Sequence, residues 1–120
     1  MTKQSQTDNL SWQEILDTTQ DLARLTLDAI REDNVKDAES LFKRRKKLVK
    51  DAVQLASQHE IDSAAKEIGE LADEYVKILN LCDPSIKEYK VLHWHYRLLE
   101  SDFKEMSKET MNRVRRNDIL

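Results

Sequence analysis

Between residues 61 and 106 a large or apolar side chain returns every seven positions, through Ile61, Ile68, Tyr75, Cys82, Tyr89, Tyr96 and Phe103. A second row follows three residues later, through Ala64, Leu71, Ile78, Ser85, Leu92, Leu99 and Met106, with Ile86 beside its one polar position. Two rows at that offset form one apolar seam along a helix. Upstream, Trp12, Ile15, Leu16, Thr19, Leu22, Ala23, Thr26, Ala29 and Ile30 recur at three- and four-residue spacing, with Leu25 and Leu27 off the stripe. A further stripe, Val35, Ala38, Leu41, Phe42, Leu48, Val49, Ala52, Leu55 and Ala56, predicts another helix.

Local signals place the ends. Ser11 with Glu14 reads as a capping box opening the first helix, and Asn34 with Asp37 opens the second after a very short connection, so those two helices form an antiparallel hairpin. Ser57 to Glu60 is read as closing the second helix, with Asp62 or Ser63 capping the third. The seam crosses Asp83-Pro84 without losing phase, although proline in a helix removes a hydrogen bond and clashes with the preceding turn. Either one long helix kinks near Asn80, or a helix ends by Cys82 and the next starts with Asp83 as its cap and Pro84 at its first position. Unbroken, that helix reaches roughly 75 Å, about twice its neighbours, and half its seam lies bare. Folded back, the chain makes four helices. The fold class is all-α: an antiparallel bundle of three to four helices with a long third helix kinked or broken near Pro84. The expected layout is a disordered stretch over residues 1–10, a single bundle domain over 11–112 and a frayed basic end over 113–120.

Composition narrows the chemistry. One glycine and one proline in 120 residues leave too few turn-formers for a sheet protein, and 36% charged residues suit solvated helices. No apolar run approaches the roughly 18 residues of a membrane span and nothing resembles a signal peptide, so no membrane insertion and a cytoplasmic location are expected. Cys82, alone, excludes an internal disulfide and falls in the apolar row, where a core position is expected. His93 and His95 lie about 200° apart on a helix and cannot share one tetrahedral ion, so no metal or other cofactor is expected. His93 is placed at the seam's edge and His95 on the wet side. No nucleophile and base stand at recognisable spacing and no glycine-rich phosphate loop occurs, so an enzyme is not expected.

Lys43, Arg44, Arg45, Lys46 and Lys47, with Lys50, form the densest charge cluster. Five consecutive residues face most of the way around a helix, and the net charge is −3, so nucleic acid is the less favoured partner and a solvated face or an acidic protein the better one. Arg45 also falls inside the apolar stripe. A boundary position is expected for it, snorkelling or meeting a carboxylate of another helix. Past the proline, Tyr89, Leu92, Tyr96, Leu99, Phe103 and Met106 are the candidate partner-binding or dimerising surface.

In the second helix Leu41 is followed by Arg45 four residues on, then by Leu48 and Val49. Further along, Ile78, Leu79 and Leu81 lead to Asp83 and, three residues later, Ile86. In these features and in the layout of residues 15–106 the chain resembles the flagellar export chaperones of the FliT type, departing from them at Cys82, where an aliphatic is usual, and at Pro84, where a continuous helix is usual. The resemblance implies a cytoplasmic chaperone that holds the C-terminal helix of the filament-cap protein and delivers it to the export apparatus, contacting the export ATPase and, in some lineages, a flagellar transcription regulator. It also implies an apolar groove covered in the idle state by the protein's own C-terminal segment, with the cluster 43–47 orienting an acidic partner. The alternatives are a helical adaptor or self-associating coiled-coil protein, a homodimer among them, and a nucleic-acid-associated regulator using residues 43–50.

Overall fold

The computed structural model describes residues 11–116, so the expectations for residues 1–10 and for 117–120 lie outside the described residues. Within that span the protein is all-helical, with four helices: α1 (Trp12–Arg31), α2 (Val35–Leu55), α3 (Gln58–Leu81) and α4 (Lys87–Arg116). Ser11 Oγ accepts the amide of Glu14, the serine half of the predicted box. Asp33 takes a left-handed conformation (φ 60°), which a short polar side chain tolerates, and Asn34 then caps α2 by accepting the amide of Asp37.

Two boundaries differ from the expected ones. Ser57 to Glu60 does not close α2 but opens α3 as a complete capping box, since the serine oxygen takes the Glu60 amide and the glutamate returns to the Ser57 amide at 2.8 Å. The S-x-x-E spacing there equals that of residues 11–14. At the proline the chain folds back. Cys82 caps α3, and the Asp83 carboxylate accepts from both the amide and the hydroxyl of Ser85, so α4 begins at Lys87, three residues beyond the expected start. Cys82 is therefore a half-buried helix end and not a core residue.

Cross-links fix the directions. Gln58 reaches Thr110 and Tyr75 reaches His95, so α3 and α4 run antiparallel; Glu39, Arg45 and Val53 meet Arg97, Asp102 and Arg113 in turn, so α2 and α4 run parallel. Helices α1, α2 and α4 pack mutually, whereas α3 lies along α4. The core has two parts. Leu27, Ile30, Ala38, Trp94 and Leu98 fill one end, and Val49, Val53, Ala56, Ile61 and Met106 fill the other.

Between them lies a charge. Arg45 is 3% exposed and clamps Asp102 with two hydrogen bonds of 2.6 and 2.7 Å, while its Nε donates to the Thr19 carbonyl at 2.9 Å. The acidic partner from another helix is present, but the position is interior and not at the boundary. An arginine survives there because each of its three nitrogens donates to a partner and two of those bonds go to a carboxylate.

The end of α4 also departs from expectation. Instead of fraying after residue 112, the helix continues to Arg116, and buried Arg113 donates to the carbonyls of Val53 and Ala56 at 3.0 and 2.7 Å. Those are carbonyls that the end of α2 leaves without helical partners, and Glu109 holds the arginine in place at 2.9 Å. The face that α4 buries is Trp94, Leu98, Asp102, Glu105, Met106, Glu109 and Arg113, so Tyr89, Tyr96 and Phe103 lie off it.

Replacing Arg45 by Met strands a buried carboxylate and should lower stability by about 3–5 kcal/mol. The double variant Arg45→Met/Asp102→Leu should recover most of that loss. Urea midpoints of the three proteins check it, and equal midpoints for both variants would contradict it.

Candidate functional site

Helix α3 buries only one of its 24 residues, Ile61, in its first turn. That end is fastened: Trp12 Nε1 donates to Glu60 Oε2 at 2.7 Å, Gln58 Nε2 donates to Thr110 at 2.8 Å, and Ala64, Ala65 and Ile68 pack on the second core cluster. The Ser57 amide holds the Glu60 carboxyl below its ordinary range, with the Trp12 N–H adding to it. Further along, the stripe Ala64, Ile68, Leu71, Tyr75 and Ile78 is never closed over by α1. Leu71 and Ile78 are each 46% exposed.

The consequence is a groove of about 300 Å³ between α1 and α3 with α4 beneath. Leu16, Gln20 and Ala23 form one wall, Ala64, Glu67, Ile68 and Leu71 the other, and His95, Leu98, Leu99, Asp102 and Met106 the floor, where Arg45 arrives from α2. Its surface is mostly aliphatic, and the two charges at its centre are paired with each other.

Among the described residues, one polar contact holds the far part of α3 to α4. The Tyr75 hydroxyl lies 2.9 Å from His95 Nδ1, with ring centroids 4.5 Å apart. Burial pushes the His95 pKa down, and the charges of Arg31 and Arg45 add to that, so the ring is held neutral. Burial pushes the Tyr75 pKa up, so the phenol keeps its proton and can donate it to Nδ1. The expected histidine placements are thus reversed: His93 is exposed, stacked 6.3 Å from Tyr89, and His95 is half-buried against α3.

The six residues assigned to partner binding are not brought together. Leu99 and Met106 reach the groove floor, but Met106 is only 1% exposed and serves the core. Tyr96 and Phe103 lie on the other side of α3, beside Gly69 and Ala72, in a shallow depression of about 580 Å³. Leu92 borders Arg31, Lys87, Glu88 and Val91 at the end near the turn, and Tyr89 meets His93. Since α3 sits astride the seam, it divides it. Sequence reasoning overlooked Leu16, Ala23 and Leu71 as site residues, although all three stood in recognised stripes; the missing signal was which stripe stays uncovered.

The basic cluster is divided as well. Arg45 is interior, whereas Lys43, Arg44, Lys46 and Lys47 are exposed and make no ion pair among the described residues. Lys43 and Lys47, two residues either side of Arg45, point about 200° away from it, to the face opposite the groove. Among the described residues no group of His, Cys, Asp and Glu side chains could hold a metal ion, and no helix is long and apolar enough to cross a membrane. Comparison with known proteins finds no matching family profile, no similar curated protein and no similar solved structure.

A neutral buried histidine gives a signed pH dependence. Because its folded pKa is depressed, the unfolded chain binds the extra proton as pH falls below about 6.5, so this contribution is complete above that value and lost on acidification. Stability should fall between about pH 7.5 and 5.5, and His95→Gln should show a shallower fall in the same urea titrations. An unchanged pH slope in the variant would contradict the assignment.

Proposed function

We propose that the protein is a cytoplasmic flagellar export chaperone that holds an amphipathic helix of a client, the filament-cap protein's C-terminal segment, and passes it to the export ATPase. The observation that carries this reading is the uncovered aliphatic groove between α1 and α3. Helix-in-groove recognition needs a concave apolar track that receives side chains at i, i+3, i+4 and i+7. Leu16, Ala23, Ile68, Leu71 and Leu99 supply such a track. Each leucine-sized client side chain buried there contributes about 1.5–3 kcal/mol, so a few offset the cost of immobilising a helix.

The last turns of α4 are not the self-cover that the family resemblance implies. Arg113 pins the last turns of α4 to the end of α2, so those turns are part of the frame. Opening falls instead to the part of α3 beyond Ile68, where no residue is buried.

Co-expressed with a filament-cap C-terminal fragment, the protein should give a stoichiometric complex on size exclusion. Leu71→Asp, at an exposed position, should weaken that complex at least about tenfold with an unchanged helical circular-dichroism spectrum, whereas Phe103→Ser should spare it. Capture of an unrelated amphipathic helix but not of the cap fragment would make the protein an adaptor of another pathway. Capture insensitive to Leu71→Asp would refute the groove.

A further inference from the structure

The uncovered wall of the groove carries its own charge pattern. Glu67 lines the groove, Glu74 stands one heptad further along the same side of α3, and Glu70 lies between them just outward. All three are exposed, and none makes an ion pair or hydrogen bond among the described residues. They run beside Leu71 and Ile78, the two groove-side aliphatics left about half exposed. Lys66 and Lys77 of the same helix fall beyond Glu70, away from the groove, and pair with none of the three.

The opposite wall does not answer this charge. On α1, Arg24 is held by Asp21 at 3.0 Å and Arg31 by Asp28 at 2.9 Å, each within its own helix. Arg45 is consumed by Asp102, and Lys43 and Lys47 of α2, which make no ion pair among the described residues, point away from the groove. The rim of the groove is therefore acidic along one edge, while the strongest basic surface cannot reach an occupant.

We infer that the occupant is an amphipathic helix with basic residues flanking one side of its apolar stripe, placed to meet Glu67, Glu70 and Glu74. This rests on the groove reading above and specifies its partner, with the opposite sign to the acidic partner that the basic cluster taken alone would select. The acidic rim sets orientation as well as preference, because only one direction of insertion puts the basic flank against α3. The effect is electrostatic and exposed, hence moderate and screened by salt.

The test uses the full chain and two synthetic helices with one shared leucine stripe, one flanked by lysines and the other by glutamates, titrated by fluorescence anisotropy. The lysine-flanked helix should bind about tenfold more tightly at low salt, with the preference shrinking near 0.5 M salt. The variant Glu67→Lys/Glu70→Lys/Glu74→Lys, which changes only exposed helix positions to another good helix former, should reverse the order. If both helices bind equally and both are lost in Leu71→Asp, the charge inference is overturned and the groove stands. If neither helix binds, or binding ignores Leu71→Asp, the groove reading fails and the inference with it.

Discussion

The bidentate pair between Arg45 and Asp102 is the constraint on which the rest of the architecture depends. Two ions removed from water at that depth are tolerated only with good geometry and further hydrogen bonds, and here both carboxylate oxygens accept from the guanidinium while its Nε donates to a carbonyl of α1. The arrangement joins three helices at one point between two apolar clusters. A slip of any of the three along its axis would strand a charge, so the pair fixes their register more stringently than leucines at bundle spacing could. At the end of the bundle Arg113 does the same for the last carbonyls of α2. The frame of α1, α2 and α4 is thus held by two arginines, and α3 is added to its side.

That division explains where a binding surface can be. A helix built into the frame buries its stripe from end to end, as α1 does with Ile15, Thr19, Thr26, Leu27 and Ile30. By contrast, α3 is fastened through Trp12, Gln58 and Ile61 at its start and then, among the described residues, keeps only the Tyr75 contact with His95 as a polar tie to α4. Elements with few buried contacts open at low free energy, which a groove receiving a whole helix requires. The stable frame supplies a preformed floor, and the lightly held helix supplies a wall that can adjust.

Much of the fold was legible. The stripes of α1 and α2, the caps at Ser11 and Asn34 and the length argument at Pro84 all follow from rules that act over a few residues, and the folded-back alternative is the one adopted. What could not be read were positions where a charged side chain is interior. Asp102, Glu105, Glu109 and Arg113 carry no hydrophobic signal, so no apolar stripe marks the face that α4 buries, and its end was expected to fray. The site was harder still. Periodicity assigns Tyr96, Phe103, Leu99 and Met106 to one seam, but whether that seam faces one neighbour or is split by a helix lying on it depends on the path of α3, which no local pattern encodes. The cluster 43–47 is divided for a related reason, since Arg45 is interior while Lys43, Arg44, Lys46 and Lys47 stay exposed.

The central claim is that a helix lodges between α1 and α3 above the Arg45–Asp102 pair, and methyl NMR on titration with a filament-cap C-terminal fragment tests it most directly. The methyl signals of Leu16, Ala23, Ile68, Leu71 and Leu99 should shift or broaden, with those of Met111 and Val114 on the exposed part of α4 unmoved. Perturbation confined to Met111 and Val114, with the groove methyls silent, would contradict it.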